Sequence, residues 1–325
     1  MTRARTAGAL ILALVAGSAA LAPIVTPHGP VQQFAGMENA PPMLPHIRGA
    51  DGRLRAPFVR PLALADRLER RFAPTGVEQS VQWFREGVLF SIDEAKGPWL
   101  PFGGDPLGRD VLARLLYGAR ISLALAAAAS LGALLIGVLL GGIAGFLGGR
   151  VETALMAFAD FVLVLPAIYV ALALRASLPL VLSASEVFWA LVLVLSAAGW
   201  PLFARGVRAV VSSERRKEYA EAAYAAGATP LRILLRHLLP ATGPFLAVTA
   251  TMMVPAFLIT EGTLTLVGLG FPVPTATWGA MLRDAWHGAA LTEAPWLMAP
   301  AATIVLTVFA LHLLTDSASG TNLSQ

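Results

Sequence analysis

The run from residue 123 to residue 147, LALAAAASLGALLIGVLLGGIAGFL, contains no charged side chain and no proline. About 20 apolar residues of helix cross the hydrocarbon core of a bilayer. Inside lipid every backbone N–H and C=O must be satisfied within the protein, so such a run is predicted to be a membrane-spanning helix. Comparable runs lie at 7–25, 154–174, 187–203, 243–266 and 296–314. Charged residues make up 14% of the chain and hydrophobic ones 56%, against about 25% charged in soluble domains. The expected fold is therefore an all-α membrane protein with six transmembrane helices. Cysteine is absent, which excludes disulfides and thiolate metal sites.

The first run, after the basic start Arg3 and Arg5, reads as an N-terminal anchor covering residues 1–26. Small residues at 17–22 leave a cleaved signal peptide as the other reading. Residues 27–100 hold no run long enough to span and are rich in Pro and Arg. They are expected to form a small folded insertion, with a helix at 62–71 and strands at 81–92. In 101–122, Asp110 and Arg114 stand four apart beside an apolar stripe of Leu112, Leu115 and Leu116, which predicts a surface helix at the membrane interface. Residues 101–316 then form a transmembrane domain, with a polar tail at 317–325.

Within the spans, Gly137, Gly141, Gly145 and Gly149 recur every fourth residue, a groove for close helix approach. A contact between subunits and packing within one chain are both open. Asp160 lies inside the third span, ahead of Pro166, and Glu261 inside the fifth, after Pro255. Ionisable groups at such depth are costly, so both are candidates for a substrate pathway. The alternatives are a structural hydrogen bond for Asp160 and a reach to the interface for Glu261. Trp278, Trp286 and Trp296 suit an interfacial belt.

Charge sets orientation. With the N-terminus in the cytoplasm, the inner segments carry Arg3, Arg5, Arg150, Arg205, Arg208, Arg215, Arg216, Lys217, Arg232 and Arg236, against Arg175 and Arg283 on the short outer loops. Both termini are then expected inside and the 27–100 insertion outside. The basic excess is spent on topology and gives no sign of nucleic acid.

One long polar stretch interrupts the C-terminal spans, residues 214–240, ERRKEYAEAAYAAGATPLRILLRHLLP. It reads as two short cytoplasmic helices. Tyr219, Ala222, Ala223 and Ala226 share one face of the first, while Lys217 and Glu221, four apart, can pair. Gly227 is placed for a left-handed cap. Thr229 serves as N-cap with Pro230 at the first helical position, and Pro240 closes the second helix. A hairpin with a nearly bare alanine face is shaped for close approach by another molecule. No phosphate-binding loop of the form G-x-x-x-x-G-K-[ST] and no H-E-x-x-H helix occurs, so neither catalytic nor metal-binding residues are expected.

Glu221-Ala222-Ala223, Gly227, His237 and Leu239-Pro240 resemble the EAA loop of ATP-binding-cassette importer permeases. Further matches single out the dipeptide/oligopeptide subfamily. These are the stretch from Phe102 to Asp110 (FGGDPLGRD), Tyr117 to Ser122 (YGARIS), Asp160, the Phe271–Pro274 turn, Trp278-Gly279-Ala280-Met281 and Ala294-Pro295-Trp296. His237 stands where the general motif has Ile, Gly104 where Thr is common, and the first insertion is longer than usual. The resemblance implies a non-catalytic permease of the cytoplasmic (inner) membrane, pairing with a second, homologous permease as a heterodimer. It implies two separate ATPase subunits that bind ATP and Mg, and an extracytoplasmic solute-binding protein. Its coupling loop, 205–240, would meet the ATPase through Glu218, Glu221, Ala222, Ala223, Gly227, Arg232, His237, Leu239 and Pro240, and the cargo would be di- or oligopeptides. The rival reading is an ion-coupled secondary transporter using Asp160 and Glu261, which leaves the 205–240 stretch without a purpose. A scaffold or sensor binding through the insertion explains that stretch poorly.

Overall fold

Apolar, proline-poor sequence becomes long helix here, and the Pro- and Arg-rich insertion becomes short strands. The computed structural model describes residues 3–49, 53–66, 69–85, 87–93, 97–165, 169–170, 182–286 and 292–319. The helices are α1 (Arg3–Ala20), α2 (Ala22–Val25), α3 (Val111–Leu147), α4 (Gly149–Val164), α5 (Ala184–Glu214), α6 (Glu218–Ala225), α7 (Pro230–Ile233), α8 (Gly243–Leu266), α9 (Trp278–Trp286) and α10 (Ala299–Ser319). Among the described residues, four helical stretches are long and apolar enough to cross a membrane: Val111–Leu147, Ala184–Glu214, Pro230–Leu266 and Pro295–Thr315. The predicted third span, 154–174, and the outer loop after it run partly outside the described residues.

The chain divides into two units: residues 1–8, 123–264 and 311–325, and residues 9–122 and 265–310. The second unit holds the strands. β1 (His46–Arg48), β2 (Leu54–Val59) and β5 (Gln79–Ser80) make an antiparallel sheet in that order, β3 (Leu62–Asp66) pairs with β4 (Arg71–Pro74), and β6 (Gln82–Arg85) pairs with β7 (Val88–Ser91). The strands expected at 81–92 are present. The helix expected at 62–71 is not: Leu64 pairs with Phe72 and Asp66 with Arg71 across a hairpin. Arg70 adopts φ +50° there, a turn conformation that ends helical pairing. The insertion buries Met37, Met43, Val59, Trp99 and Leu100 in one cluster, and the Trp99 Nε1–H donates to the Met43 carbonyl at 2.8 Å.

The surface helix expected before the second span is instead the start of α3, one helix of 37 residues. At 1.5 Å per residue it is about 56 Å long, well beyond the hydrocarbon thickness. Its first turns are held by burial of Val111, Ala113, Leu115 and Ala119. Asp110 does not pair with Arg114. Its carboxylate accepts from the Leu112 N–H at 2.9 Å and contacts His28 Nδ1 at 2.8 Å. Arg114 and Arg109 instead share Asp105 and Asp284: Arg109 Nε reaches Asp105 at 2.6 Å, and both guanidinium groups reach Asp284 at 2.9 Å. Arg109, Arg114 and Asp105 are almost fully buried.

Removing one member of a buried ionic group strands the others without water, at about 3–5 kcal/mol. Asp105→Ala is therefore expected to lower the thermal unfolding midpoint of the detergent-solubilised protein by several degrees. An unchanged midpoint would contradict the network's structural role. Trp278 belongs to the same unit and is fully buried, its Nε1–H donating to the Leu115 carbonyl at 3.1 Å. It is a core residue and not the lipid-interface anchor its sequence context suggested. Trp286 is exposed, and the Trp296 Nε1–H donates to the Gly104 carbonyl at 3.0 Å.

In the first unit α3 packs on α5 through its small residues. A Cβ at Gly141 would lie 2.8 Å from Ala204 Cα, one at Gly145 2.8 Å from the Arg208 carbonyl oxygen, and one at Gly137 would overlap Phe203. These three glycines make a contact within the chain. Gly149 is not part of it: it has φ +58° as the first residue of α4 and open space where a Cβ would be. Helix α5 outruns its predicted span because Arg205 and Arg208, which mark the end of an apolar run, pair sideways with α4. Its N-terminus is fixed by a capping box between Ser183 and Glu186.

Candidate functional site

The site is the polar connection from α5 to α8, within the first unit. Helix α5 runs on to Glu214, whose carboxylate accepts from Lys217 Nζ at 2.8 Å and from the Tyr219 hydroxyl at 2.8 Å. Lys217 thus closes back on the preceding helix and not forward onto Glu221. Burial first, and then the bond to Glu214, push the Tyr219 hydroxyl up to about 12. It stays protonated and donating through the physiological range. Arg215 donates to the Phe146 carbonyl and lies 5.6 Å from the Phe146 ring centroid, which fastens the turn to the end of α3.

Helix α6 ends as the sequence requires. Gly227 has φ +80°. The Gly227 N–H bonds the Tyr224 carbonyl at 3.0 Å and the Ala228 N–H bonds the Ala223 carbonyl at 3.1 Å, the paired bonds of a Schellman cap. The Thr229 hydroxyl then accepts from the Arg232 N–H at 3.4 Å, with Pro230 as first residue of α7. Helical rise does not stop at Pro240. It passes through a π-helical segment, Leu234–Leu238, and a 3-10 turn, Leu239–Thr242, into α8. Pro240 sits early in that turn, where its missing N–H costs nothing.

Ala220, Ile233 and Leu238 are buried with Val207 and Val211 of α5. Full burial of a side chain the size of Ile233 contributes about 1.5–3 kcal/mol, enough to hold the hairpin to α5. Ala220 is the buried member of α6. The stripe read from spacing faces outward: Tyr219, Ala222 and Ala226 are exposed and Ala223 is half-buried. Glu218, Glu221, Gly227, Arg232 and Pro240 are exposed as well, with His237 and Leu239 half-buried. Beside them Tyr224, Leu231 and Leu235 project their apolar surface. A pocket of about 520 Å³ opens in this surface, floored by Phe146, Ala220 and Ile233 and rimmed by Arg215, Glu221 and Tyr224. The arrangement can accept a protein surface, with small side chains where backbone would approach and aromatic and charged groups at the edge.

Of the pathway candidates, Asp160 is bound to Arg205 of α5, each side chain about half exposed. Glu261 is 1% exposed on α8 and does not reach out to an interface. Sequence reasoning counted Arg205 and Arg208 for orientation and missed them as partners of Asp160 and Glu152. Their placement on a helix following an acid-bearing helix was the available signal.

A family model described as "Binding-protein-dependent transport system inner membrane component" matches residues 137–320. The oligopeptide transport system permease protein OppC of Bacillus subtilis (strain 168) is 37% identical over 223 residues, covering 68% of this chain and 70% of that protein. The chain belongs to this family. The dipeptide transport system permease protein DppC of the same organism is 36% identical over 217 residues, covering 66% of this chain and 65% of that protein. OppC of Haemophilus influenzae is 34% identical over 217 residues, covering 66% and 67%. Among solved structures, a chain of the MetNI methionine ABC transporter in an inward-facing conformation gives a TM-score of 0.49 at 19% identity, covering 64% of this chain and 95% of that one. The protein is a multi-pass membrane component of a binding-protein-dependent transport system, and residues 214–240 lie within the matched region.

Proposed function

We propose that this chain is one of two permease subunits forming the pathway of an ATP-driven importer of di- or oligopeptides in the cytoplasmic membrane. The names of its relatives, oligopeptide and dipeptide permeases, support the cargo. The second permease is a homologous chain. Two separate ATPase subunits bind and hydrolyse ATP, and an extracytoplasmic binding protein delivers the peptide; this chain performs no chemistry itself. Six spans, both termini inside and the 27–100 insertion outside are supported by the distribution of arginine and lysine.

The observation that carries this reading is the hairpin at 214–240. It is capped at the end of α6 and the start of α7, anchored by Ile233 and Ala220, joined to α5 by a short turn and continuous with α8, and its outer face sets small side chains among exposed tyrosine and leucine. A partner that pushes on such an element moves it as a rigid body together with its helices. Glu218, Glu221, Ala222, Ala223, Gly227 and Arg232 form the contact, with His237, Leu239 and Pro240 at its base.

The test is peptide uptake into proteoliposomes holding both permeases, the ATPases and the binding protein. ATP is expected to drive uptake with no imposed ion gradient. Uptake that follows an ion gradient and ignores ATP would replace this reading with the ion-coupled one through Asp160 and Glu261.

A further inference from the structure

We propose that Asp160 and Arg205 line the pathway and hold the two charged ends of a transported peptide, its ammonium on Asp160 and its carboxylate on Arg205. This rests on the peptide-importer reading above. Helices α4 and α5 carry two ion pairs along their seam, Glu152 with Arg208 at 3.2 Å and Asp160 with Arg205. Asp160 lies about 12 Å further along α4 than Glu152, inside the region its apolar neighbours assign to the membrane. Ala159, next to Asp160 in sequence, and Ala204, next to Arg205, are buried in one cluster with Trp200, and the Phe158 ring stacks on Trp200 at 5.7 Å between centroids. The side chains of Asp160 and Arg205 remain 54% and 50% exposed.

An exposed ion pair facing hydrocarbon is costly, so this face meets water or a polar partner. A half-exposed pair is also weakly held, since water and side-chain entropy offset most of its attraction. A ligand bearing both charges can therefore replace it without leaving either residue alone. The planar guanidinium of Arg205 suits a carboxylate in two-point contact. A purely cationic or purely anionic solute would strand one partner. The pair thus favours zwitterions, the state of a peptide with free termini.

Because the chain contains no cysteine, Ala157→Cys, exposed one turn before Asp160 on α4, gives this subunit a single thiol and leaves the charged pair intact. In the assembled transporter in proteoliposomes, a membrane-impermeant thiol reagent is expected to label it, and saturating peptide-loaded binding protein with ATP to slow labelling at least about fivefold. Val305→Cys on α10 is the comparison for an apolar exposed position and is expected to stay unlabelled. Asp160→Asn and Arg205→Gln are each expected to cut uptake of free-terminus peptide by about tenfold or more, as loss of a charge-assisted contact does. The paired neutral variant Asp160→Asn with Arg205→Gln strands neither charge on its helix, and uptake under it is expected to stay low. An unlabelled or unprotected thiol, or full uptake by the paired neutral variant, in a complex whose wild type transports peptide overturns this assignment. Failure of the wild-type complex to take up any peptide overturns the cargo reading instead.

Discussion

Gly227→Glu is expected to leave the chain inserted in the membrane while abolishing its co-purification with an ATPase subunit and stopping uptake. A Cβ at Gly227 meets nothing within 4 Å, so the side chain starts into open space within this subunit. What the fold resists is the φ of +80°, about 1–2 kcal/mol for a non-glycine residue. Gly227→Ala bears the same backbone cost without bulk or charge and is expected to keep most of the uptake. The difference between the two variants therefore reads the space that a partner occupies. Equal loss in both would assign the effect to the cap alone.

The second large effect is expected from Gly141→Leu. A Cβ there meets the backbone of Ala204 at 2.8 Å, and backbone cannot rotate away as a flexible side chain would. Helices α3 and α5 must part, at a cost of about 1–3 kcal/mol or more for overpacking. Because α5 leads directly into the hairpin, the displacement also moves the coupling surface. The thermal midpoint is expected to fall by several degrees, with uptake lost. Gly262→Ala on α8, where nothing lies within 4 Å, is the matched control and is expected to be neutral. A Gly141→Leu protein as stable and active as that control would show that the glycine stripe is not a packing seam.

What was legible in the sequence follows from the range of the forces involved. The end of α6 and the start of α7 could be read from Gly227, Thr229 and Pro230 because caps are made within a few residues. The apolar runs at 123–147 and 243–266 were legible because lipid leaves no alternative to helix. Residues 62–71 were misread since LALADRLERR carries helical spacing, and its pairing with 71–74 has no local signature. The ion-pair partners of Asp110, Arg114, Asp160 and Arg205 lie 9 to 170 residues away along the chain, beyond any periodicity argument. Spacing placed the outward alanine stripe but not the buried position on the other side of the helix. Ala220 faces inward because Val211 and Ile233 are there to meet it, and those contacts form only once α7 folds back.

The coupling role of 214–240 is tested most directly by cross-linking. Ala222→Cys, on the outer face of α6, and Ala220→Cys, buried beneath it, each introduce the single cysteine of this chain. In the assembled transporter, a short thiol-to-amine cross-linker is expected to join the Ala222→Cys chain to an ATPase subunit with a yield that changes on ATP binding, and to leave the Ala220→Cys chain unjoined. Efficient assembly with no ATPase cross-link from Ala222→Cys, in either nucleotide state, would contradict a coupling role for 214–240.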